Sequence, residues 1–329
     1  MYEFILALFG ENDKLRMNTL YQILVGRKSA SMLYYAYGHQ LLDIVGIFPH
    51  LSKAEYEKII QQLINQKALS IVGNELVRVQ IQPFLLNQEP YCHLNHFRIK
   101  NSLSLWRMLQ LFLCRLSYWP ADYQGPVLEN SPFYLLNVDQ MIAQMDEEQK
   151  QKIYEELSHV FSQMPQYQAD FLANTFSGKQ ISGKTFYQVL PEDLHSPFDI
   201  CYTLACIERF WSYIMKHTEL LLFQLFKPFI LENYKQSMLI TRKLYKSVHD
   251  VQKIAQLRRL KEGTINDHII EWAIIDEQFP FEDFQLLALD KSLLDYRYKD
   301  LIQVQPEISF LQYRLTQIAI LKGRKKNES

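Results

Sequence analysis

Two stretches of the 329-residue chain carry side chains whose types and spacing could do chemistry. Gly178-Lys179-Gln180-Ile181-Ser182-Gly183-Lys184-Thr185 has the G-x-x-x-x-G-K-[ST] spacing of a phosphate loop, where backbone amides and a lysine cradle nucleotide phosphates. That chemistry needs a buried strand before the loop and a long helix after it. The preceding run, Ala169–Phe176, carries Asn174 and Thr175 and sits among helical segments. Pro191-Glu192-Asp193 then cuts the following helix short. A polar turn between helices is expected here in place of a phosphate-loop NTPase site. Cys92-His93-x-x-His96 offers three soft ligands with no second pair at finger spacing, so no metal site is expected there. Glu192, Asp193, His195 and Ser196 crowd one short segment, whereas catalytic triads draw on separated ones, so they read as a capped polar loop. The sequence thus implies no enzyme and no cofactor.

A third stretch has chemistry of a different kind. Residues 241–261 hold seven basic residues (Arg242, Lys243, Lys246, Lys253, Arg258, Arg259, Lys261) and one acid, Asp250. Residues 262–300 reverse this, with ten acids against three basic residues. Three helices are expected here: one over Met238–Lys246, a short one capped by Asp250 and carrying Ile254, Ala255 and Leu257, and a third carrying Ile265, Ile269 and Trp272 at helical spacing. Ala255 is small enough for two helices to cross closely, Leu260 suits the turn, and Ile265 locks the third helix from beneath. This spacing fits a helix-turn-helix. Thr264, Asn266 and Asp267 would then face outward from the helix that such proteins lay in the major groove. Lys246, Arg258, Arg259 and Lys261 are the expected phosphate contacts, and Thr264 and Asn266 the expected contacts to base edges or backbone. The same fold could instead dock a protein, with the acidic face 267–283 as its contact.

Ile254-Ala255-Gln256-Leu257-Arg258-Arg259-Leu260, followed by Thr264-Ile265-Asn266-Asp267-His268-Ile269, resembles the helicase-associated helix-turn-helix domain. The end of that domain is similar to Pro306-Glu307-Ile308-Ser309-Phe310-Leu311-Gln312-Tyr313-Arg314-Leu315, so the resemblance spans 237–323. The rest, including Leu24-Val25-Gly26-Arg27-Lys28-Ser29, resembles the YpbB-like proteins of Gram-positive bacteria. The resemblance implies a partnership with a RecQ-like helicase and an accessory role in DNA unwinding or repair. Ser247-Val248-His249 stands where a turn glycine usually precedes the second helix.

The elements that must position these residues read as mostly helical. The chain has only 10 glycines and 48% hydrophobic residues, which disfavours a many-stranded protein rich in tight turns. Helices are expected over Leu15–Val25, Ser29–Leu42 and Lys53–Gln66, the last opened by a Ser52/Glu55 capping box. A hairpin turning at Gly73-Asn74 follows. Gln82–Pro90 reads as a linker, Phe97–Tyr118 as a buried helix, and Asn137–Met164 as an amphipathic one. Ser196-Pro197 opens a helix reaching about His217, and another runs through Pro228. The expected fold is all-α: a winged-helix-like N-terminal domain over 1–85, a helical bundle over 91–236, the helix-turn-helix domain over 237–323 and a basic tail over 324–329. Net charge is −1, the four cysteines form no disulfide framework, and no segment suits a membrane span or leader. A cytoplasmic protein that binds DNA and no membrane is the resulting expectation.

Overall fold

Ser52 and Glu55 start the most clearly signalled helix of the N-terminal region. The Glu55 amide donates to Ser52 Oγ at 3.2 Å and the Ser52 amide donates to Glu55 Oε2 at 3.1 Å, closing the box. The computed structural model describes residues 1–10, 14–79, 83–122, 125, 128–294 and 296–328, the last five of these without their side chains. Its first elements are α1 (Tyr2–Ala7), β1 (Lys14–Arg16), α2 (Met17–Leu24), α3 (Ala30–Gly38), α4 (Lys53–Asn65), β2 (Leu69–Val72) and β3 (Glu75–Arg78). Strands β2 and β3 form the expected hairpin, and Gly73 supplies the positive φ of 63° that its turn requires. The sequence reading missed β1, which pairs antiparallel with β3 in the order β1-β3-β2. Leu15 was expected at the start of a helix, but it opposes Leu76 in the sheet, and both are buried. A three-residue strand is too short for alternation to register. The region thus combines short helices with a small three-stranded antiparallel sheet.

The middle of the chain comprises α5 (Ser102–Leu116), α6 (Pro132–Ala143), α7 (Glu147–Ser162), α8 (Gln166–Ala173), α9 (Phe186–Val189), α10 (Phe198–Lys216) and α11 (Leu221–Leu231). Asn137–Met164 is therefore not one helix. The first half ends at Ala143, and Asp146 caps the second: it accepts from the Gln149 amide at 2.8 Å, and Gln149 Oε1 accepts from the Asp146 amide at 3.2 Å. Asn137 lies inside α6, where its Nδ2 donates to the Phe133 carbonyl. The abundant aromatics fill one another's gaps. Trp106 stacks on Phe176 with centroids 4.9 Å apart and meets Phe210 edge-on at 5.2 Å, while Trp211 tilts against Phe226 at 5.1 Å. Buried Glu156 reaches from α7 to the start of α11, where the amides of Leu221 and Leu222 donate to it at 2.9 and 3.0 Å. The expected linker holds a short 3-10 turn at Leu85–Asn87, and its first residue, Gln82, lies outside the described residues.

The chain ends with α12 (Gln236–Val248), α13 (Val251–Arg258), α14 (Glu262–Ile275), α15 (Tyr298–Val304) and α16 (Phe310–Glu328). Helix α16 runs on into the basic tail, whose side chains lie outside the described residues together with Ser329. Two compact units emerge, one of residues 1–21 and 46–233, the other of 22–45 and 234–329. The second unit thus takes in α3 from the N-terminal region. Within it α3, α12, α13 and α16 all pack against α14, and the Arg314 guanidinium lies 3.7 Å from the Tyr34 ring centroid. Among the described residues no helix is long and apolar enough to cross a membrane.

Candidate nucleic-acid interface

Two left-handed residues set the corners of the three-helix core. His249 ends α12 with φ 50°, and Asp250 then caps α13 by accepting from the amides of Gln252 and Lys253 at 2.9 and 3.0 Å. The corner usually made by glycine is therefore retained with histidine in it, its Nδ1 3.2 Å from Asp283 Oδ2. Arg259 ends α13 with φ 51°, and the Leu260 amide returns to the Ala255 carbonyl at 3.0 Å. Ile254, Ala255, Ile265, Ile269 and Trp272 are buried between the helices, as the sequence pattern predicts, whereas Leu257, expected with Ile254 and Ala255 on the second helix, is exposed.

The six expected site residues separate into groups. Arg259 and Lys261 are exposed at the turn between α13 and α14, and make no ion pair among the described residues. Lys261 is also the N-cap residue of α14, whose first turn receives no side-chain cap. Arg258, next to them in sequence, turns inward. Its Nη1 donates to the Ser237 carbonyl at 2.6 Å and to Thr241 Oγ1, and its Nη2 donates to Ser237 Oγ at 2.9 Å. These bonds tie the turn to the first half of α12. Lys246 is exposed five residues beyond Thr241, roughly 7.5 Å further along the helix axis, near the opposite corner. Thr264 and Asn266 are only half-exposed, and Asn266 Oδ1 is buried with no hydrogen-bond partner among the described residues. Asn266 therefore does not present its side-chain oxygen outward, as the sequence pattern leads one to expect. From His268 onward α14 is covered, with every residue through Ile274 buried, so only its first turn and Asp267 are open.

Electrostatics narrows the basic set further. Arg242 Nη2 pairs with Asp276 Oδ2 at 2.8 Å, and Lys253 lies 3.6 Å from Asp250 Oδ2. With Arg258 also committed, the exposed cations left in this run are Lys243, Lys246, Arg259 and Lys261. Lys243 was counted in the basic run but not among the expected site residues, and its exposure is what adds it. Beneath the turn, Thr241 Oγ1 lies 2.9 Å from His268 Nδ1, and Arg258 Nη1 lies 3.4 Å from the same nitrogen. Burial, followed by the positive charges of Arg258 and Lys235, holds the His268 imidazole below its ordinary value.

The phosphate-loop pattern has a different structure from the one nucleotide binding needs. Helix α8 precedes it in place of a strand, and the four-residue α9 follows. Its amides are spent on protein acceptors: Lys179 on Ser117 Oγ, Gly183 on Ser177 Oγ, Lys184 on the Asn174 carbonyl and Thr185 on Gln188 Oε1. Gly183 is required by crowding, since a Cβ there would sit 2.6 Å from the Thr175 carbonyl oxygen. The three residues of the Cys92-His93-x-x-His96 pattern part company, because His96 Nδ1 lies 2.9 Å from the fully buried Glu208.

Three helices joined by these two corners, with a buried small residue at the crossing, define a helix-turn-helix domain. Residues 237–317 match a family described as a helix-turn-helix domain. No curated protein matches the chain, and no solved structure does. A domain of this kind suggests binding to DNA.

Proposed function

We propose that the chain is a non-enzymatic, cytoplasmic DNA-binding accessory of a RecQ-like helicase, acting in DNA unwinding or repair. One observation carries the DNA-binding part. Arg259 and Lys261 stand exposed, without acidic partners among the described residues, beside the uncapped N-terminus of α14, where backbone amides and the helix dipole favour an anion. Lys243 and Lys246 supply a second pair of positive charges on α12. Because most of α14 is covered, contact runs to phosphates and sequence preference is weak. The helicase partnership is supported by the resemblance of residues 254–269 to the helicase-associated domain. A salt titration of binding to duplex and single-stranded DNA, with and without the helicase, tests both parts. Absence of binding to either DNA at low salt sinks the first part, and absence of any helicase effect sinks the second.

A different observation favours an adaptor reading, in which the domain docks the helicase. Leu257 on α13 is 66% exposed and lines a groove with Val248, Lys253 and Gln256. Leu257→Ser would then abolish co-purification with the helicase and leave DNA affinity unchanged.

A further inference from the structure

Glu89, Cys92 and His93 are brought together at the short 3-10 turn Tyr91–His93. A carboxylate oxygen, Sγ and a ring nitrogen, one from each, all lie within 4.8 Å of one another. His93 Nε2 is 2.9 Å from Glu89 Oε1, and Cys92 Sγ lies within 4.8 Å of both groups. The other carboxylate oxygen is held from behind: Gln168 Nε2 donates to Glu89 Oε2 at 3.1 Å, and Arg209 Nη1 lies 3.4 Å from it. Arg209 Nη1 also donates to Gln168 Oε1 at 3.1 Å, so helices α8 and α10 orient the carboxylate together.

We propose that Glu89, Cys92 and His93 bind one divalent cation of the zinc class. A carboxylate, a thiol and an imidazole stand close enough around one point for a single dication to bridge all three. Thiolate and carboxylate then supply two negative charges, and the neutral imidazole supplies a third ligand. Thiolate and imidazole ligands select Zn²⁺ over Mg²⁺ or Ca²⁺, which take oxygen. Tetrahedral Zn²⁺ with ligands at 2.0–2.3 Å sets its donor atoms roughly 3.3–3.6 Å apart, so closing the cluster needs only small side-chain rotations. Three protein ligands leave the fourth position to water. Glu89 and Cys92 are exposed, which gives the ion a path in. Gln168 acts as the outer partner that fixes ligand orientation, and binding releases the Cys92 proton. The adjacent Arg209 opposes the cation, so its removal tightens binding.

Cobalt makes the test specific, since Co²⁺ reports thiolate ligation through its near-ultraviolet charge-transfer band. The metal-free full chain titrated with Co²⁺ should develop that band and tetrahedral visible bands at one equivalent, and Zn²⁺ should bleach both. Cys92→Ser should remove the charge-transfer band, with circular dichroism confirming an unchanged fold. His93→Ala and Glu89→Gln should each weaken Zn²⁺ binding by about tenfold or more, and Arg209→Gln should strengthen it roughly severalfold. The proposal is overturned by the absence of a charge-transfer band, by a band that survives Cys92→Ser, or by Zn²⁺ affinity indifferent to His93→Ala and Glu89→Gln.

Discussion

Arg258 grips Ser237 twice, through Nη1 to the backbone carbonyl at 2.6 Å and through Nη2 to the hydroxyl at 2.9 Å. An arginine in the middle of a basic run thus acts as a strut that ties the helix-turn-helix turn to α12. Arg258→Ala should destabilise the domain by about 2 kcal/mol, because Ser237 and Thr241 lose a charged donor at a partly buried site. Denaturant unfolding followed by hydrogen exchange in α12 and α14 would check this. Exchange unchanged in α12 would show that the strut carries no load.

Lys261→Ala, Arg259→Asn and Lys246→Ala should behave in the opposite way, with stability nearly unchanged and weaker DNA binding. Asparagine is chosen at 259 because it tolerates the left-handed conformation that Arg259 adopts. Each loss of a phosphate contact should reduce the slope of log affinity against log salt by about 0.9. A slope equal to that of the wild type for all three variants would remove these residues from the interface.

Glu262 occupies the first turn of α14, next to the cationic corner. Glu262→Gln should therefore strengthen DNA binding, by roughly twofold to fivefold at low salt, and the gain should fade as salt screens the charge. Fluorescence anisotropy at two ionic strengths measures both effects.

His268 should make the C-terminal unit acid-sensitive. Its folded pKa lies below the ordinary 6.5, so as pH falls the unfolded chain takes up the proton first. The stability contribution is therefore complete above about pH 6.5 and declines from there toward the lowered folded value. Hydrogen exchange of α14 amides at roughly pH 7.5 and 5.5 should show protection falling in the wild type and holding steadier in His268→Gln. Equal losses in both proteins would assign the effect to another group.

Glu156 is a buried carboxylate whose two acceptor oxygens cap a helix that has no cap of its own. Glu156→Ala should cost about 2–3 kcal/mol, since it leaves the Leu221 and Leu222 amides without that acceptor. Glu156→Gln should recover part of this, because one oxygen remains. Thermal melts of the two variants give the comparison.

Much of this was legible from local chemistry. The Ser52/Glu55 box and the Gly73-Asn74 turn depend on neighbours within a few residues and both hold, as does the burial of Ile254, Ala255, Ile265 and Ile269, while Leu257 in the same pattern faces solvent. The Asp146/Gln149 box was equally local but was hidden inside an apolar periodicity that ran through it. What could not be read was direction. A run such as Arg258-Arg259 shows two cations, and only the packing of α13 on α12 decides that the first turns in and the second turns out. Likewise Glu89 stands at helical spacing from Cys92 and His93, but the departure of His96 to Glu208 is decided by a residue more than a hundred positions away.

Helix α3 packs on α14, although roughly 220 residues separate them in the chain, which gives that contact a high loop-closure cost. During synthesis at about 5–20 residues per second, segment 22–45 waits on the order of 10–40 s for the helix it will cover. Its buried side chains, Leu33, Ala36 and Tyr37 among them, are without their native partner for that interval. The C-terminal unit is therefore a late-closing one, completed only when the last part of the chain meets a piece of the first. A fragment beginning at residue 237 would lack that piece and leave the α3-facing side of α14 bare.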